Sequence, residues 1–294
     1  MTKTVASIWY LNLAVSDFMF TSFLFMEVAY AALNFYWPFG QTLCKIHSAV
    51  SFLNLFASIF LLTVISADRC ISMAWPVWAH NHRSPRLAFW VAAAVWFAAL
   101  ALSTPYIVFR DLGASLLRGD ITLCYNNYIP VGNFTREKEA TLWEHRHRAM
   151  VLTCLVTGFL VPFAIILTCY GVITAKLMRN HVARSARPYK IMVAVVMAFF
   201  LCWFPYHLSI LLAMLAKRVT PAIQVLLDVA LPLASLNSCL NPALYAFVSW
   251  GCKDTLWLSV VFAFQKAFSD AEVQAILPSK NQDSSRSKVE LPPL

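Results

Sequence analysis

Charge is the first thing this sequence has little of. Only 13% of its 294 residues are Asp, Glu, Lys or Arg, and 60% are hydrophobic, against about a quarter charged in an ordinary soluble domain. That composition cannot cover a soluble surface, so a soluble enzyme or binding domain is excluded. Glycine is scarce too, with seven against 22 phenylalanines, and the apolar residues come in unbroken blocks instead of alternating with polar ones, which excludes an outer-membrane barrel. A basic stripe is also missing. The formal charge of +9 is scattered over segments between apolar blocks, so nucleic acid is not an expected partner and the cations read as topology signals. Only Met1 to Thr4 precede the first block, and no small-residue cleavage site follows a short apolar core. No cleaved signal peptide is expected; the first block serves as an anchor.

What is present is a series of six apolar blocks long enough to cross a bilayer as helix, which takes about 20 residues. They run from Val5 to Leu33, Cys44 to Ser66, Leu87 to Phe109, Met150 to Met178, Ile191 to Ala216 and Ile223 to Trp250. Trp9, Tyr30, Trp37, Trp75, Tyr106 and Trp250 fall near block ends, where amphipathic rings favour the interface. The stretch Lys176 to Lys190 carries Lys176, Arg179, Arg184, Arg187 and Lys190 without an acid, and Arg83 and Arg86 follow the second block. Both loops are predicted to be cytoplasmic. Even alternation then puts Met1 and the tail inside and the long Arg110 to Arg148 loop outside, with Asn133-Phe134-Thr135 as its glycosylation sequon. Residues 251–268 are predicted to form a short amphipathic helix on the membrane, and 269–294, with Ser284, Ser285 and Ser287, a disordered cytoplasmic tail.

Polar groups inside an apolar block are costly in lipid unless they face a bundle interior, so each is a functional candidate. The set comprises Asp17, Glu27, Asn54, Ser58, His207, Asp228, Asn237 and Asn241. Around them stand Leu13-Ala14-Val15-Ser16-Asp17, Asp68-Arg69-Cys70, Cys202-Trp203-Phe204-Pro205 and Asn241-Pro242-Ala243-Leu244-Tyr245, in that order. This set resembles the signature of rhodopsin-like G-protein-coupled receptors. Trp37-Pro38-Phe39-Gly40 before Cys44, the Asp-Arg-Cys form, and Pro76-Val77-Trp78 before Asn81-His82-Arg83 are similar to the chemoattractant branch, with its formyl-peptide and prostaglandin D2 type-2 receptors. The resemblance runs from about Thr2 to about Val273.

The fold class the resemblance implies is all-α: an integral membrane helical bundle over residues 1–250, holding six spans of a seven-span receptor fold, plus the short membrane-surface helix. Relatives begin with a further span that is not seen ahead of Thr4-Val5. The function implied is that of a receptor, not an enzyme, taking an extracellular lipid or peptide ligand and signalling from the plasma membrane to a heterotrimeric G protein of the inhibitory class. Receptor kinases and arrestin would act at the Ser-rich tail. The alternative reading is a shortened or incompletely encoded form that does not signal, retained in the endoplasmic reticulum and retaining or modulating full-length receptor. A decoy receptor would show a damaged Asp-Arg pair, and Asp68-Arg69 is intact. A transporter or channel would show inverted repeats or rings of like charge, and neither is seen.

Residue roles follow from the resemblance. Arg69 would meet the G protein, Asp68 would hold it at rest, and Tyr170 and Tyr245 would close around it on activation. Asn241 and Pro242 belong to the same inner-end machinery. Asp17, Ser58, Asn237 and Asn241 offer oxygens suited to a hard monovalent cation, an allosteric sodium ion, or else a hydrogen-bonded polar core without one. No other cofactor is expected. Ile59, Pro162, Phe199 and Trp203 match the aromatic switch and its packing partners. Among the eight cysteines, only Cys44 at an outer block end and Cys124 in the outer loop are placed in an oxidising compartment, so they are expected to pair.

For the ligand, Ser51 stands where amine receptors have an aspartate, and Phe52, Met150 and Cys154 replace the formyl-peptide triad. Arg110 and Tyr206 match the pair that the prostaglandin D2 type-2 receptor turns on a carboxylate. With His207 and His47 nearby in projection, they suit an anionic lipid or a peptide C-terminus. Arg110 reads equally as an interfacial anchor snorkelling to headgroups, and His207 as a packed core histidine.

Overall fold

The computed structural model describes residues 4–34, 36–114, 122–129, 135–179, 186–216 and 219–249, apart from the side chains of 177, 178, 186–192, 194, 195 and 239–249. Asn133, the surface helix and the tail serines lie outside the described residues, as do the side chains of Asn241, Pro242 and Tyr245.

Helix α1 (Val5–Thr21) starts on a capping box in which Ser7 N–H donates to Thr4 Oγ1 at 3.2 Å and Thr4 N–H to Ser7 Oγ at 3.0 Å. It breaks before α2 (Leu24–Ala32), where the Thr21 and Ser22 hydroxyls both donate to the Phe18 carbonyl, at 3.1 and 2.8 Å, and compete with the helical ladder. Helix α3 (Gly40–Ala74) is the axis of the bundle. Its middle, from Leu55 to Ile59, is inaccessible on every side, which suits a helix that is apolar all round. Trp75 and Pro76 end it and open α4 (Pro76–His82) with proline in the first turn, a position that needs no N–H. Ser84 then caps α5 (Pro85–Val108).

Beyond α5 the outer loop contains an antiparallel pair, β1 (Arg110–Ala114) and β2 (Thr122–Asn126), with Leu112 opposite Cys124. A Cβ at Gly113 would stand 2.5 Å from the Tyr125 ring, so only glycine lets that ring cross the strand. Helix α6 (Arg136–Leu155) runs through a π-helical turn, Val156–Leu160, into α7 (Val161–Arg179). Pro162 follows the turn and brings no N–H to its ladder, a common cause of such a bulge. Helices α8 (Ala186–Leu215) and α9 (Pro221–Ser249) complete the element order.

Among the described residues, six helical stretches are long and apolar enough to cross a membrane: Val5–Ala32, Gly40–Ala74, Pro85–Val108, Arg136–Lys176, Val196–Leu215 and Pro221–Ser238. The second helix runs on to Ala74, past the expected Ser66, and the largest departure from the hydropathy reading is in the fourth. The fourth helix was expected from about Met150 and begins at Arg136, because its outer turns are held by means that hydropathy does not register. Glu137 and Glu139 complement the N-terminal dipole, and Glu144 accepts from Arg148 at 2.8 Å one turn on. The long loop from Arg110 to Arg148 therefore holds a hairpin and nearly four turns of helix among its described residues.

Candidate functional site

At the outer end, Cys44 of α3 is bonded to Cys124 of β2, as their shared compartment implied. The bridge is buried with Met26 and Trp37, so the hairpin is fixed to the bundle through an apolar patch as well as a covalent link. Arg110 opens β1. Its Nη1 donates to Asn126 Oδ1 at 3.0 Å and its Nε faces Cys124 Sγ at 3.1 Å. Among the described residues, no carboxylate lies within ion-pair distance of it. Burial pushes the guanidinium down from its ordinary value, opposed by the hydroxyls of Tyr206, Tyr30 and Tyr128 and by Glu27. Burial pushes the Tyr128 phenol up to about 12, with Arg110 and Asn126 pulling the other way, so it is a neutral donor at physiological pH.

Tyr206 and Tyr128 share the wall of a cavity of about 800 Å³ between α6, α8 and the segment after β2. Its floor is apolar, with Met150, Val151, Ile210 and Met214, and Arg136, Glu139, Glu144 and Arg148 bring charge to the same wall. Of the proposed ligand residues, Tyr206 alone lines it. Arg110 sits behind Asn126. His47 is drawn away to Glu27, Nε2 to Oε2 at 3.1 Å, with the Trp37 ring 5.5 Å off, and Ser51 donates to the His47 carbonyl at 2.8 Å. His207 is 1% exposed among the rings of Phe159, Trp203 and Tyr206, and neither ring nitrogen has a partner among the described residues. Phe52 stacks on Tyr106 with centroids 3.4 Å apart, which fills with rings the place of the formyl-peptide aspartate.

Halfway down, buried polar side chains from α1, α3 and α9 meet. Asn54 is the hub. Its Nδ2 stands 3.1 Å from Ser16 Oγ, 3.4 Å from Ser58 Oγ and 3.5 Å from Asp17 Oδ1, and its Oδ1 accepts from Ser238 at 3.0 Å. Ser16 and Ser58 are 3.4 Å apart. Asp17 and Asn237 are each 1% exposed, and both amide atoms of Asn237 lack a partner among the described residues. Sequence reading missed Ser16 and Ser238 and gave Asn54 no role; a serine beside Asp17 and another beside Asn237 were the available signals.

Beneath the cavity runs an aromatic ladder on α8. Phe199 is inaccessible, and its centroid is 6.1 Å from that of Trp203. The π turn brings Phe159 against Phe200, 5.1 Å away and edge-on. Ile59 and Phe199 belong to one core, on which Trp203 packs, and Pro162 is buried on α7.

At the inner end the structure corrects the resting pair. Asp68 is held by Arg83, Nε to Oδ1 at 2.7 Å and Nη2 to Oδ2 at 2.8 Å, and not by Arg69. The reason is geometric. Arg83 reaches back from the segment after α4 in the two-point fork that suits a carboxylate, whereas adjacent residues on a helix point about 100° apart. Among the described residues Arg69 has no ion-pair partner. Tyr170 packs half-buried against the core from α7.

Comparison with known proteins settles what this arrangement belongs to. A family model described as 7 transmembrane receptor (rhodopsin family) matches residues 1–245. The chain belongs to that family. Chemerin-like receptor 1 of Rattus norvegicus is 44% identical over 254 residues, spanning 84% of this chain and 68% of that protein. The Homo sapiens protein of the same name is 43% identical over 254 residues, spanning 84% and 67%. N-formyl peptide receptor 3 of Homo sapiens is 38% identical over 276 residues, spanning 92% and 77%. The protein is thus a multi-pass membrane receptor of the chemoattractant branch and not an enzyme, with an extracellular ligand and a G protein as its partners.

Proposed function

We propose that this receptor recognises a chemoattractant-type ligand through a carboxylate, either an anionic lipid mediator or a peptide C-terminus. It signals from the plasma membrane to a heterotrimeric G protein of the inhibitory class. The observation that carries the reading is the condition of Arg110: a half-buried cation whose hydrogen-bond partners, Asn126 and the Cys124 sulfur, are neutral, with no carboxylate within ion-pair distance among the described residues. A buried charge without its counter-charge is costly, and an incoming carboxylate would relieve that cost. Tyr206 and Tyr128 connect this charge to the cavity, whose apolar floor suits an aliphatic or aromatic ligand body. The name of one relative, a formyl peptide receptor, agrees with a peptide.

Asp17, Ser58 and Asn237, with Asn241, are the residues that would hold a sodium ion at rest. The Asn237 amide, without a partner among the described residues, and the oxygens of Asp17 and Ser58 support that fit. When bound, the ion supplies positive charge to the buried Asp17 carboxylate. Ligand pressure at Tyr206 would pass through Trp203 and Phe199 to the inner end of α8, with Ile59 and Pro162 as the packing that shifts. Arg69, Tyr170, Pro242 and Tyr245 would meet the G protein. Receptor kinases and arrestin would act on the tail serines, and a glycan would sit on Asn133.

The test is nucleotide exchange on an inhibitory-class heterotrimer by the reconstituted full chain, with acidic lipid mediators and peptides bearing a free C-terminus as agonists. Agonist-driven exchange that Arg69→Ala abolishes while agonist binding survives is the expected result. Exchange undiminished in that variant, or no agonist among either class, overturns the reading.

A further inference from the structure

Two cysteines that no role above uses face one another near the inner end of the bundle. Cys70 follows Arg69 on α3, and the buried Ser66 and Ala74 bracket it one turn either way, which places it on the inward stripe of that helix. Cys169 precedes Tyr170 on α7, and the buried Ile166 and Ile173 bracket it, so it lies on the face of α7 turned to the core. The two side chains meet where α3 packs on α7, and neither is in a disulfide. Cys70 is buried and Cys169 is half-exposed on the outside of the bundle, so a small uncharged oxidant meets the Cys169 sulfur first.

We propose that Cys70 and Cys169 form a redox-modification site, at which an oxidant of the peroxide class converts the paired thiols into a disulfide tying α3 to α7 beside Arg69 and Tyr170. The reaction balances in two steps. The Cys169 sulfur, giving up its proton, attacks one oxygen of hydrogen peroxide; an S–O bond forms, the O–O bond breaks, and the departing hydroxide takes that proton to become water. The Cys70 sulfur then attacks the sulfenic acid. An S–S bond forms, the S–O bond breaks, and hydroxide leaves with the Cys70 proton as a second water. Two thiols are oxidised by two electrons and one peroxide is reduced. Closing a thiol contact to a disulfide brings the sulfurs together by on the order of 2 Å, within reach of side-chain rotation between helices already packed together. The pair differs from Cys44–Cys124 in lying at the reducible face of the membrane, so cellular thiols can reverse it.

A bond at that place forbids α7 from moving relative to α3 next to Arg69, while the ligand end is untouched. This consequence for signalling rests on the proposed G-protein coupling; the modification itself does not.

The experiment exposes the full chain in lipid nanodiscs to hydrogen peroxide, blocks the remaining thiols with a maleimide, and maps unreduced peptides by mass spectrometry. A Cys70–Cys169 cross-linked peptide, two hydrogens lighter than the pair of thiols and absent in Cys169→Ser, is the expected result. Recovery of both residues as separate maleimide adducts or separate sulfinic acids overturns the site. In a parallel arm, agonist-driven nucleotide exchange should fall roughly fivefold or more after peroxide in the parent chain. It should be unchanged by peroxide in Cys169→Ser, with ligand binding preserved in both. Cross-linking without that fall overturns the regulatory step. Exchange absent even before peroxide would count against the G-protein reading alone, because the peptide map judges the site by itself.

Discussion

Arg83 grips Asp68 with two parallel hydrogen bonds of 2.7 and 2.8 Å, leaving the neighbouring Arg69 out of the pair. The carboxylate side chain is 10% exposed and the guanidinium 32%, so losing the cation strands a nearly buried charge whose partner was partly solvated. Arg83→Gln should therefore cost about 1–2 kcal/mol of stability. Arg69→Gln should cost close to nothing. Thermal unfolding of the two variants in detergent, followed with a thiol-reactive dye, checks the contrast. Adding Asp68→Asn to Arg83→Gln should recover part of the loss, as expected of a coupled pair. Equal losses for Arg69→Gln and Arg83→Gln would mean that the fork is not what secures Asp68.

Asn54 joins α1, α3 and α9 through one amide, so its removal reaches three helices at once. Asn54→Leu keeps the volume and leaves Ser16, Ser58 and Ser238 without that partner in a site closed to water, a loss of about 2 kcal/mol. Ser238→Ala, which removes a single donor, should cost less than half as much. The same melting assay ranks them, and a stabilised Asn54→Leu would show that the network is not held by its hub.

How far the sequence could be read divides along physical lines. The spans were legible because a block of some 20 apolar residues has few other uses, and Cys44–Cys124 because two cysteines shared one compartment. The partner of Asp68 was not legible. Arg83 lies 15 residues on, past the end of α3, where no helical spacing relates the two. Asn54 could be seen but not assigned, since a lone amide in an apolar block looks the same whichever face it takes. The outer turns of α6 were hidden for a different reason: above the membrane, helix is held by capping acids and pairs such as Glu144 with Arg148, and hydropathy is blind to both. The hairpin was hidden by its size, five residues a strand, with its inner face resting on a disulfide and the small apolar patch around it.

Asp111 predicts how the hairpin responds to acid. Its Oδ1 accepts from the Leu112 N–H and from Gln41 Nε2, both at 2.9 Å, and its Oδ2 from Asn127 Nδ2 at 3.1 Å. These bonds, that of Asn127 foremost, hold the carboxyl below its usual range. A depressed folded value means that the stabilisation is complete above the unfolded value of about 4 and is lost as pH falls through the folded value beneath it. Exchange of the Leu112 amide hydrogen should therefore be protected from neutral pH down to about pH 4, after correction for intrinsic exchange, and lose protection below. In Asp111→Asn the acid-dependent part should vanish. Protection lost already between pH 7 and pH 5 would show that a group other than Asp111 governs the hairpin.

Arg110 carries the last prediction, and it can be separated from general damage to the pocket. Its bonds to Asn126 and to the Cys124 sulfur help seat β2, so any substitution disturbs the hairpin as well as removing a charge. A fall in affinity for one agonist would not distinguish the two effects. A cycle does. The same peptide agonist is made with a free C-terminus and with an amidated one, and each is measured on the parent and on Arg110→Gln. If the guanidinium meets the carboxylate, the parent should favour the free acid by about 2 kcal/mol, roughly thirtyfold in Kd, the scale of a charge-assisted hydrogen bond. Arg110→Gln should bring the two forms to near equality by weakening the acid and sparing the amide. Arg110→Lys should keep part of the preference, since it retains the charge and loses the fork. A preference for the acid that persists in Arg110→Gln would instead move the anchor to Arg136 or Arg148 on the cavity wall, leaving Arg110 as the residue that braces the hairpin.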